Sequence, residues 1–457
     1  MRRDAFIQSC VSRPFPAAAR QAAALTVAAL FTVRSAAAVL MALAAHATLA
    51  VRSALTTLAA HAKFAARQAA ALTVAAILAA GPAWAAPAPE IKSPYAILVD
   101  HDSGSVLYEK ASAAPASPSS MSKILSAYRV FELLREGRIT LDDQFTVGQE
   151  AWKKAKAMNA NSGSTMFLEL GEKVRVEDLL RGLIVNSGND AAVVLAENIS
   201  GSEANFVAEL NQLAARLGMT GTTILNASGW YEKEHLMPAR DIALLSRRLI
   251  SDFPEYYHYF GEKEFLYRRD LTGNKDNRNK LLWIMPSSDG IKTGHTSKGG
   301  YGLAASAVKG GRRLVSVING LKGPNPSYNR FSESKALLEW GFKEFSNFVY
   351  FEKGAEVLRV PVWFGRQGSV GAAPDRDVLV SARAGSAPAA DLYATYDTPA
   401  AAPVAKGQKL GTLTLYADGA KAGEYDLVAT DGVERSNFAS RIFQNIGILL
   451  GRMAGKQ

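Results

Sequence analysis

A lysine that follows a group of serines is the first feature of the sequence that could do chemistry. The stretch SPSSMSKILS begins at residue 117 and places Lys123 after three serines, Ser119, Ser120 and Ser122. A serine hydroxyl needs a base to become a nucleophile near neutral pH, and on a helix the residues three and four positions apart share a face. Ser120 and Ser119 therefore both qualify as partners of Lys123, whereas Ser122 does not. A lysine serves as the base only when burial or a second cation lowers its pKa.

Two later stretches carry polar groups that could complete such a site. VNSGNDAA puts Ser187 and Asn189 on a tight turn before an alanine-rich helix, and SDGIKTGHTSKGG puts Lys292, Thr293 and Gly294 on a strand. Alone, each stretch is weak evidence, because most copies are helix starts, turns or solvated strand ends. Together with S-x-x-K, they form the motif set of β-lactamases and penicillin-binding proteins. The combination indicates acyl transfer through a serine.

The chain resembles the low-molecular-mass penicillin-binding proteins that are D-alanyl-D-alanine carboxypeptidases, in the branch with a C-terminal β-domain. Ser187 follows Ser120 by 67 residues and precedes Lys292 by 105, which matches that family in order and separation. The resemblance extends through stretches that include GSTMFLELGEKV, IVNSGNDAAVVLAE, NRNKLLW, RRLVSVI, LLEWGF and PVWFG. The family pattern S-[LM]-[ST]-K-[ILM] fits SMSKI and selects Ser120, rather than Ser119, as the nucleophile.

This resemblance implies a division of labour among five residues. Ser120 would attack the carbonyl of a penultimate D-alanine, with Lys123 as the general base. Ser187 would relay a proton to the leaving amine, and Asn189 would hold Lys123 and the substrate amide. Lys292 would be the second cation, which lowers the pKa of Lys123 and attracts the terminal carboxylate of the substrate.

The resemblance also implies a set of substrate-binding residues on or beside the lysine-bearing strand: Thr293, Gly294, His295, Thr296 and Arg313. Backbone N–H groups of Ser120 and His295 would stabilise the oxyanion. The threonine hydroxyls and Arg313 would receive the substrate carboxylate. Three more side chains, Ser162, Ser164 and Thr165, are expected in a loop that overhangs the site.

Three alternative functions need to be weighed against a carboxypeptidase. A class A β-lactamase would use a glutamate in an E-x-x-L-N loop, and no such sequence lies between Ser187 and Lys292. A DD-endopeptidase of the same fold would cut peptidoglycan cross-links, but such relatives generally lack the C-terminal β-domain. A non-catalytic protein of cell-wall structure or shape would be expected to lose a motif, and all three are complete.

Composition excludes several other classes of site. The only cysteine is Cys10, so the rest of the chain cannot form a disulfide framework or a cysteine-ligated metal site. The histidines have no metal-like spacing, and neither a metal nor a cofactor is expected. Residues 1–85 hold eight lysines and arginines and one acid, so the remaining chain carries a net charge of +3 rather than +10. A charge this small gives no case for nucleic-acid binding.

The alternation of patterns predicts an α/β domain over residues 86–349, followed by a small all-β domain over 350–432. Strand patterns at residues 95–110, 289–293, 301–308 and 312–320 enclose helical patterns at 120–136 and 176–198. The resemblance makes the first domain an antiparallel sheet flanked by helices, with a helical subdomain. Short alternating strands and an Asp418-Gly419 hairpin signal predict a β-sandwich for the second.

The two ends of the chain predict an exported protein at a membrane surface. Lys63 and Arg67 precede the apolar run AAALTVAAILAA, and Ala83-Trp84-Ala85 provides a small-x-small cleavage site, so residues 1–85 are predicted to be a leader cut after Ala85. Residues 433–457 form an amphipathic pattern suited to the membrane surface, or alternatively to docking on the β-domain. The expected location is periplasmic, on the outer face of the cytoplasmic membrane. The expected partners are peptidoglycan stem peptides and β-lactam inhibitors.

Overall fold

The computed structural model describes residues 2–7, 86–160, 163–270, 274–385 and 387–437. The predicted cleavage site at Ala85, Cys10 and Ser162 lie outside these residues, as does the predicted amphipathic helix from residue 438 onward. The prediction of a membrane-surface helix is therefore not tested by the structure. Within the described ranges, no helix combines the length and the apolar character needed to cross a bilayer.

The described residues form sixteen strands and eight helices. The strands are β1 (Arg2–Ile7), β2 (Tyr95–Asp100), β3 (Val106–Lys110), β4 (Gln144–Thr146), β5 (Lys173–Arg175), β6 (Ser288–Thr296), β7 (Gly300–Lys309), β8 (Arg312–Leu321), β9 (Phe345–Phe351), β10 (Leu358–Trp363), β11 (Ser369–Pro374), β12 (Val378–Arg383), β13 (Ala390–Asp397), β14 (Ala400–Ala401), β15 (Lys409–Ala417) and β16 (Ala420–Ala429). The helices are α1 (Lys123–Arg135), α2 (Gln149–Ala160), α3 (Val176–Ile184), α4 (Asn189–Ser200), α5 (Glu203–Arg216), α6 (Ala239–Asp252), α7 (Leu281–Ile284) and α8 (Pro326–Glu344). Two 3₁₀ turns, Ser119–Ser122 and Tyr257–Gly261, complete the set.

An antiparallel five-stranded sheet, in the order β3-β2-β8-β7-β6, organises the first domain. Both faces of this sheet are covered. Along β2, Ile97 and Val99 pack into a core shared with α1, α3, α4 and α6, whereas Ala96 and Leu98 pack with α8 on the opposite face. Because successive side chains of a strand point to opposite faces, a strand buried on both sides has a continuous apolar run. This explains the sequence YAILVD, and the predicted α/β fold, with strands from both ends of this domain in one sheet, is confirmed.

The helical region between the outer strands is interrupted at the SGN sequence. The sequence predicted helical periodicity over residues 176–198 with a tight turn at the SGN motif, and α3 ends at Ile184 and α4 begins at Asn189. Ser187 lies between them with φ = +61°, a left-handed conformation that no helix interior accepts. The break brings polar side chains to the helix ends at a point where the surrounding residues are apolar.

The second domain is all-β, as predicted. A seven-stranded sheet, in the order β1-β13-β15-β16-β11-β10-β14, lies with a two-stranded sheet of β12 and β9. Buried side chains from several of these strands, such as Leu392, Leu413 and Leu427, form a core that is separate from the core of the first domain. β1 pairs antiparallel with β13 and belongs to the segment predicted to be a leader, so cleavage after Ala85 would leave β13 without this neighbour.

Candidate active site

The 3₁₀ turn Ser119–Ser122, directly before α1, places Ser120 against Lys123. In a 3₁₀ turn the side chains at i and i+3 eclipse each other, and Lys123 Nζ donates to Ser120 Oγ at 2.9 Å. Ser119 has φ = +51° and is 1% exposed. Its hydroxyl lies 3.2 Å from Thr296 Oγ1, away from the ammonium group. The geometry therefore favours Ser120 over Ser119 as the partner of the lysine.

Burial of Lys123 makes it able to act as a base. The side chain is 1% exposed, and burial lowers its pKa from the ordinary 10.5 to about 7. Nζ also donates to Asn189 Oδ1 at 2.8 Å and to the carbonyl oxygen of Ser228. These acceptors hold Nζ beside Ser120, so that an accessible fraction of neutral amine is already in place to take the serine proton.

The effect expected of Lys292 on Lys123 needs a correction. Burial, rather than a neighbouring cation, is the main cause of the lowered pKa of Lys123. The repulsion between cations is seen instead at Lys292, which is 2% exposed. Its pKa lies well below its ordinary value because of burial and the positive charges of Lys123, Arg278 and Arg330. Lys292 thus lies among cations that disfavour its own positive charge, and its Nζ donates to the Thr293 carbonyl oxygen at 3.3 Å.

Strand β6 approaches the 3₁₀ turn at a glycine. A Cβ atom at Gly294 would lie 2.7 Å from the carbonyl oxygen of Pro118 and 3.2 Å from Ser119 Cβ. Only glycine permits this separation without moving the strand or the turn. The KTG strand, predicted from the sequence, therefore lies against the serine turn because its third residue has no side chain.

A second close approach brings a loop onto the other side of the turn. Gly229 has φ = +77°, and a Cβ atom there would lie 2.1 Å from the carbonyl oxygen of Ser119. The neighbouring Asn226 Oδ1 accepts from the Gly229 and Trp230 N–H groups at 2.8 and 2.9 Å. This loop supplies the Ser228 carbonyl that binds Lys123, and nothing in the sequence motifs pointed to it.

Asp190, which follows the SGN motif, anchors the loop expected to overhang the site. Its buried carboxylate accepts from the Thr165 hydroxyl and from the backbone N–H groups of Met166 and Leu168. The Asn189 N–H donates to the Ser164 carbonyl oxygen at 2.9 Å. The negative charge of Asp190 also raises the pKa of Lys123, against the larger effect of burial. Sequence reasoning quoted this aspartate within its motif but gave it no role.

A cavity of about 780 Å³ opens above these groups. Its walls include Ser120, Ser187, Asn189, Thr293, Gly294, His295 and Thr296 from the sequence-predicted set. They also include Ser164, Trp230, Tyr231, Arg278, Tyr301 and Arg330. Ser120, several hydroxyls and the cations Arg278 and Arg330 thus line one opening. Lys123 and Lys292 are not among its walls, and Lys123 lies behind Ser120, in contact with its hydroxyl. Within the described ranges, no group of three or more histidine, cysteine or acidic side chains is arranged to hold a metal ion.

Arg313 does not lie in this cavity, contrary to the prediction. Its guanidinium donates to Asp289 Oδ2 and Ser306 Oγ, each at 2.6 Å, on a different part of the sheet. The arginine that lines the cavity is Arg330, near the start of α8. The two arginines are separated by only 17 positions, but strand β8 runs from Arg313 at one end of the sheet to Leu321 at the other. The helix α8 begins at that second end, and its first turns place Arg330 beside Gly294.

Arg330 is placed to receive an anion. It is 8% exposed, burial lowers its pKa to about 10, and one nitrogen donates to the Gly294 carbonyl oxygen at 3.3 Å. Its guanidinium carbon lies 5.2 Å from the Tyr301 ring centre. Among the described residues, its buried Nε has no hydrogen-bond partner. A buried donor without a partner is costly. The guanidinium also lines the cavity, where it adds a positive charge to the wall.

His295 is held as an aromatic wall of the cavity. Its ring stacks on Tyr301 with a centre-to-centre distance of 3.8 Å and an angle of 26° between the ring planes. Lys123 Nζ, rather than the His295 ring, makes the hydrogen bond to Ser120 Oγ. The backbone of His295 continues strand β6 beside the nucleophile, where an oxyanion donor is required.

Comparison with known families assigns both domains. Residues 83–323 match the family model for D-alanyl-D-alanine carboxypeptidase. The chain belongs to this family. Residues 345–435 of this D-alanyl-D-alanine carboxypeptidase family member match the model for the penicillin-binding protein 5, C-terminal domain. The resemblance inferred from the motifs is therefore confirmed, and the protein is a serine-type hydrolase.

Individual relatives agree with the family assignment. The chain is 36% identical to the D-alanyl-D-alanine carboxypeptidase DacC of Escherichia coli over 78% of its own length and 88% of the relative. It is 35% identical to DacA of the same organism, over 80% and 90%. The solved structure of penicillin binding protein 5 from Haemophilus influenzae shares 34% identity, with a TM-score of 0.65, and covers 77% of this carboxypeptidase and all of that chain.

Proposed function

We propose that the protein removes the terminal D-alanine from peptidoglycan stem pentapeptides through an acyl-enzyme on Ser120. The observation that carries this proposal is the 2.9 Å contact between Lys123 Nζ and Ser120 Oγ, made by a buried lysine whose pKa is lowered to about 7. The family supplies the reaction class, and the contacts of Lys123 with Ser120 and Asn189 support the roles proposed for these residues.

Acylation begins when neutral Lys123 takes the proton of Ser120. Ser120 Oγ then bonds to the carbonyl carbon of the penultimate D-alanine, and backbone N–H groups of Ser120 and His295 receive the developing oxyanion. The C–N bond breaks as the leaving amine takes a proton, which passes from Lys123 through the Ser187 hydroxyl. D-Alanine departs with its carboxylate from the positive group formed by Arg330 and Arg278.

Deacylation returns the enzyme to its starting state. A water molecule loses a proton to Lys123, and its oxygen bonds to the ester carbonyl carbon. The bond from that carbon to Ser120 Oγ then breaks, and the proton is returned to the serine oxygen. The products are a shortened peptide with a new carboxylate and the free enzyme, so no oxidant, metal or cofactor enters the balance.

Covalent inhibition by β-lactams follows from the same geometry. A β-lactam carries a strained amide and a carboxylate in the arrangement of an acyl-D-Ala-D-Ala unit, so Ser120 opens its ring and forms an ester. The related Haemophilus protein is named a penicillin binding protein. Here the expected product is a single acyl adduct on Ser120 that is hydrolysed slowly.

The location proposed for the enzyme is the periplasm, on the outer face of the cytoplasmic membrane. The signal sequence that ends at Ala85 and the amphipathic pattern of residues 433–457 support this location. Liposome co-sedimentation of chains with and without residues 433–457 tests it. Equal sedimentation of both chains would refute attachment through the tail.

The reaction is tested by release of D-alanine from a pentapeptide that ends in D-Ala-D-Ala. The chain from Ala86 onward is assayed beside its Ser120→Ala and Ser119→Ala variants. We expect Ser120→Ala to lower the rate by about 1,000-fold or more, since it removes the nucleophile. Ser119→Ala keeps activity, because the Ser119 hydroxyl contacts Thr296 rather than Lys123.

The remaining outcomes separate the alternatives. A chain that releases no D-alanine but cleaves a cross-linked dimer is an endopeptidase. A chain that cleaves neither substrate, and that forms no adduct with a β-lactam, is a non-catalytic member of the family.

A further inference from the structure

A second cavity, of about 320 Å³, adjoins the catalytic one. Its apolar walls are Met158, Leu225 and Trp230, and its charged walls are Lys154, Glu203 and Glu232. Nothing in the acyl-transfer mechanism uses these charges.

The walls of the two cavities meet in two places. Trp230 lines both. In addition, the N–H of Gly163, a wall of the catalytic cavity, donates at 2.9 Å to the carbonyl oxygen of Met158, a wall of the second. The two cavities are therefore neighbours, with Trp230 as their shared wall.

The expected orientation of the peptide in the catalytic cavity brings its acyl part toward the second cavity. The leaving D-alanine belongs at Thr296 and Arg330, on the side of Ser120 formed by strand β6 and α8. The acyl part of the peptide must leave Ser120 on the other side, which is formed by the Ser164 loop and the Gly229–Trp230 loop. The residue immediately before D-Ala-D-Ala then lies next to Trp230.

The charges of the second cavity favour a cation. Lys154 Nζ and Glu203 Oε2 form an ion pair at 2.6 Å, so these two charges offset each other. Glu203 is fixed further by the Ala227 N–H, which donates to Oε1 at 2.9 Å. Glu232 is held by a neutral group, the Asn226 amide, which donates to its Oε1 at 2.7 Å. The charge of Glu232 is therefore not offset by a cation. The Glu232 carboxylate and the face of the Trp230 indole ring both attract an ammonium group.

We propose that this cavity is a specificity subsite for an aliphatic side chain with a terminal ammonium group, carried by the residue that precedes D-Ala-D-Ala. This proposal rests on the proposed carboxypeptidase function. Met158, Leu225 and Trp230 cover the methylene groups, and Glu232 pairs with the ammonium. The subsite therefore selects a free diamino-acid side chain over one whose amine has been acylated, as in a cross-linked peptide.

The test compares two tripeptides that differ only at that amine: Nα-acetyl-L-Lys-D-Ala-D-Ala and its Nα,Nε-diacetyl form. Because Glu232 is exposed, its pairing with the ammonium is screened by water, and we expect kcat/KM to be about three- to five-fold higher for the free amine. In Glu232→Gln, which can still accept from Asn226, the ratio should fall to about one while cleavage of the diacetyl peptide is unchanged. Glu234→Gln, an exposed acid outside the cavity, is the matched control and should keep the native ratio.

A binding measurement makes the test independent of turnover. In the Ser120→Ala background, the free-amine peptide should shift the indole N–H resonance of Trp230, assigned with a Trp230→Phe variant. The shift should be smaller with the diacetyl peptide and with Glu232→Gln. A native ratio near one, a ratio unaffected by Glu232→Gln, or an unperturbed Trp230 resonance would overturn the subsite. Failure to cleave either peptide, with the Trp230 shifts as expected, would refute the proposed reaction and retain the subsite.

Discussion

Nζ of Lys123 lies 2.9 Å from Oγ of Ser120, and the lysine is almost completely withdrawn from water. The fold makes this lysine a suitable base, because burial lowers its pKa to a value near physiological pH. Four predictions follow from the surroundings of this pair.

The first concerns pH. Lys123 acts as a base only when it is neutral, and its pKa is about 7 rather than 10.5. We expect kcat/KM for D-alanine release to rise about tenfold per pH unit below this value and to level off above it. Lys123→Arg should be inactive throughout, because arginine stays protonated. An acid limb with its midpoint near 10 would show that the pKa of Lys123 is not lowered, and a profile without an acid limb would show that Lys123 is not the base.

The second concerns Asp190. Its charge raises the pKa of Lys123, so Asp190→Asn should move the acid limb of the kcat/KM profile to lower pH. The same change disturbs the hydrogen bonds to Met166 and Leu168 and should lower the maximal rate by about tenfold. Asp178→Asn, on the neighbouring helix α3, should move neither quantity. A lower rate with an unmoved midpoint would mean that Asp190 only supports the loop.

The third separates two arginines. Arg330→Ala should lower kcat/KM by about 10- to 100-fold for a peptide with a free terminal carboxylate, because a charge-assisted hydrogen bond to the substrate is lost. A peptide with a terminal carboxamide should be insensitive to the change. Arg313→Ala should leave kcat/KM within about twofold and lower the melting temperature, since Asp289 and Ser306 lose their partner. The reverse pattern would restore Arg313 to the site.

The fourth concerns the contact between β6 and the serine turn. Gly294→Ala would place a Cβ atom 2.7 Å from the Pro118 carbonyl oxygen, so the strand must shift. A shift of this kind typically costs about 100-fold in rate, and we expect this loss in the rate of Ser120 acylation by a β-lactam. Gly368→Ala is the control, because no atom lies within 4 Å of its added methyl group. An unchanged acylation rate in Gly294→Ala would show that the close approach is not required.

The sequence by itself determined the elements whose cause is local. The apolar run of YAILVD predicted a buried strand, the SxxK spacing predicted a serine and a lysine on one helical face, and the alternating strands after residue 350 predicted an all-β domain. Each of these signals depends on residues within a turn or a strand of one another. The family match rests on three such local motifs in a fixed order.

Only the tertiary structure decided which distant groups meet. Arg330 lies in the site and Arg313 does not, because strand β8 places them at opposite ends of the sheet. The motifs alone did not show at which end of that strand the site would form. The lowered pKa of Lys123 came chiefly from burial, and burial depends on every element packed around it. The Ser228 carbonyl, the Asp190 anchor and the cavity behind Trp230 are likewise products of long-range packing. The motifs indicate which residues could react. The fold determines how much water reaches these residues, which charges surround them and what shape the cavity has.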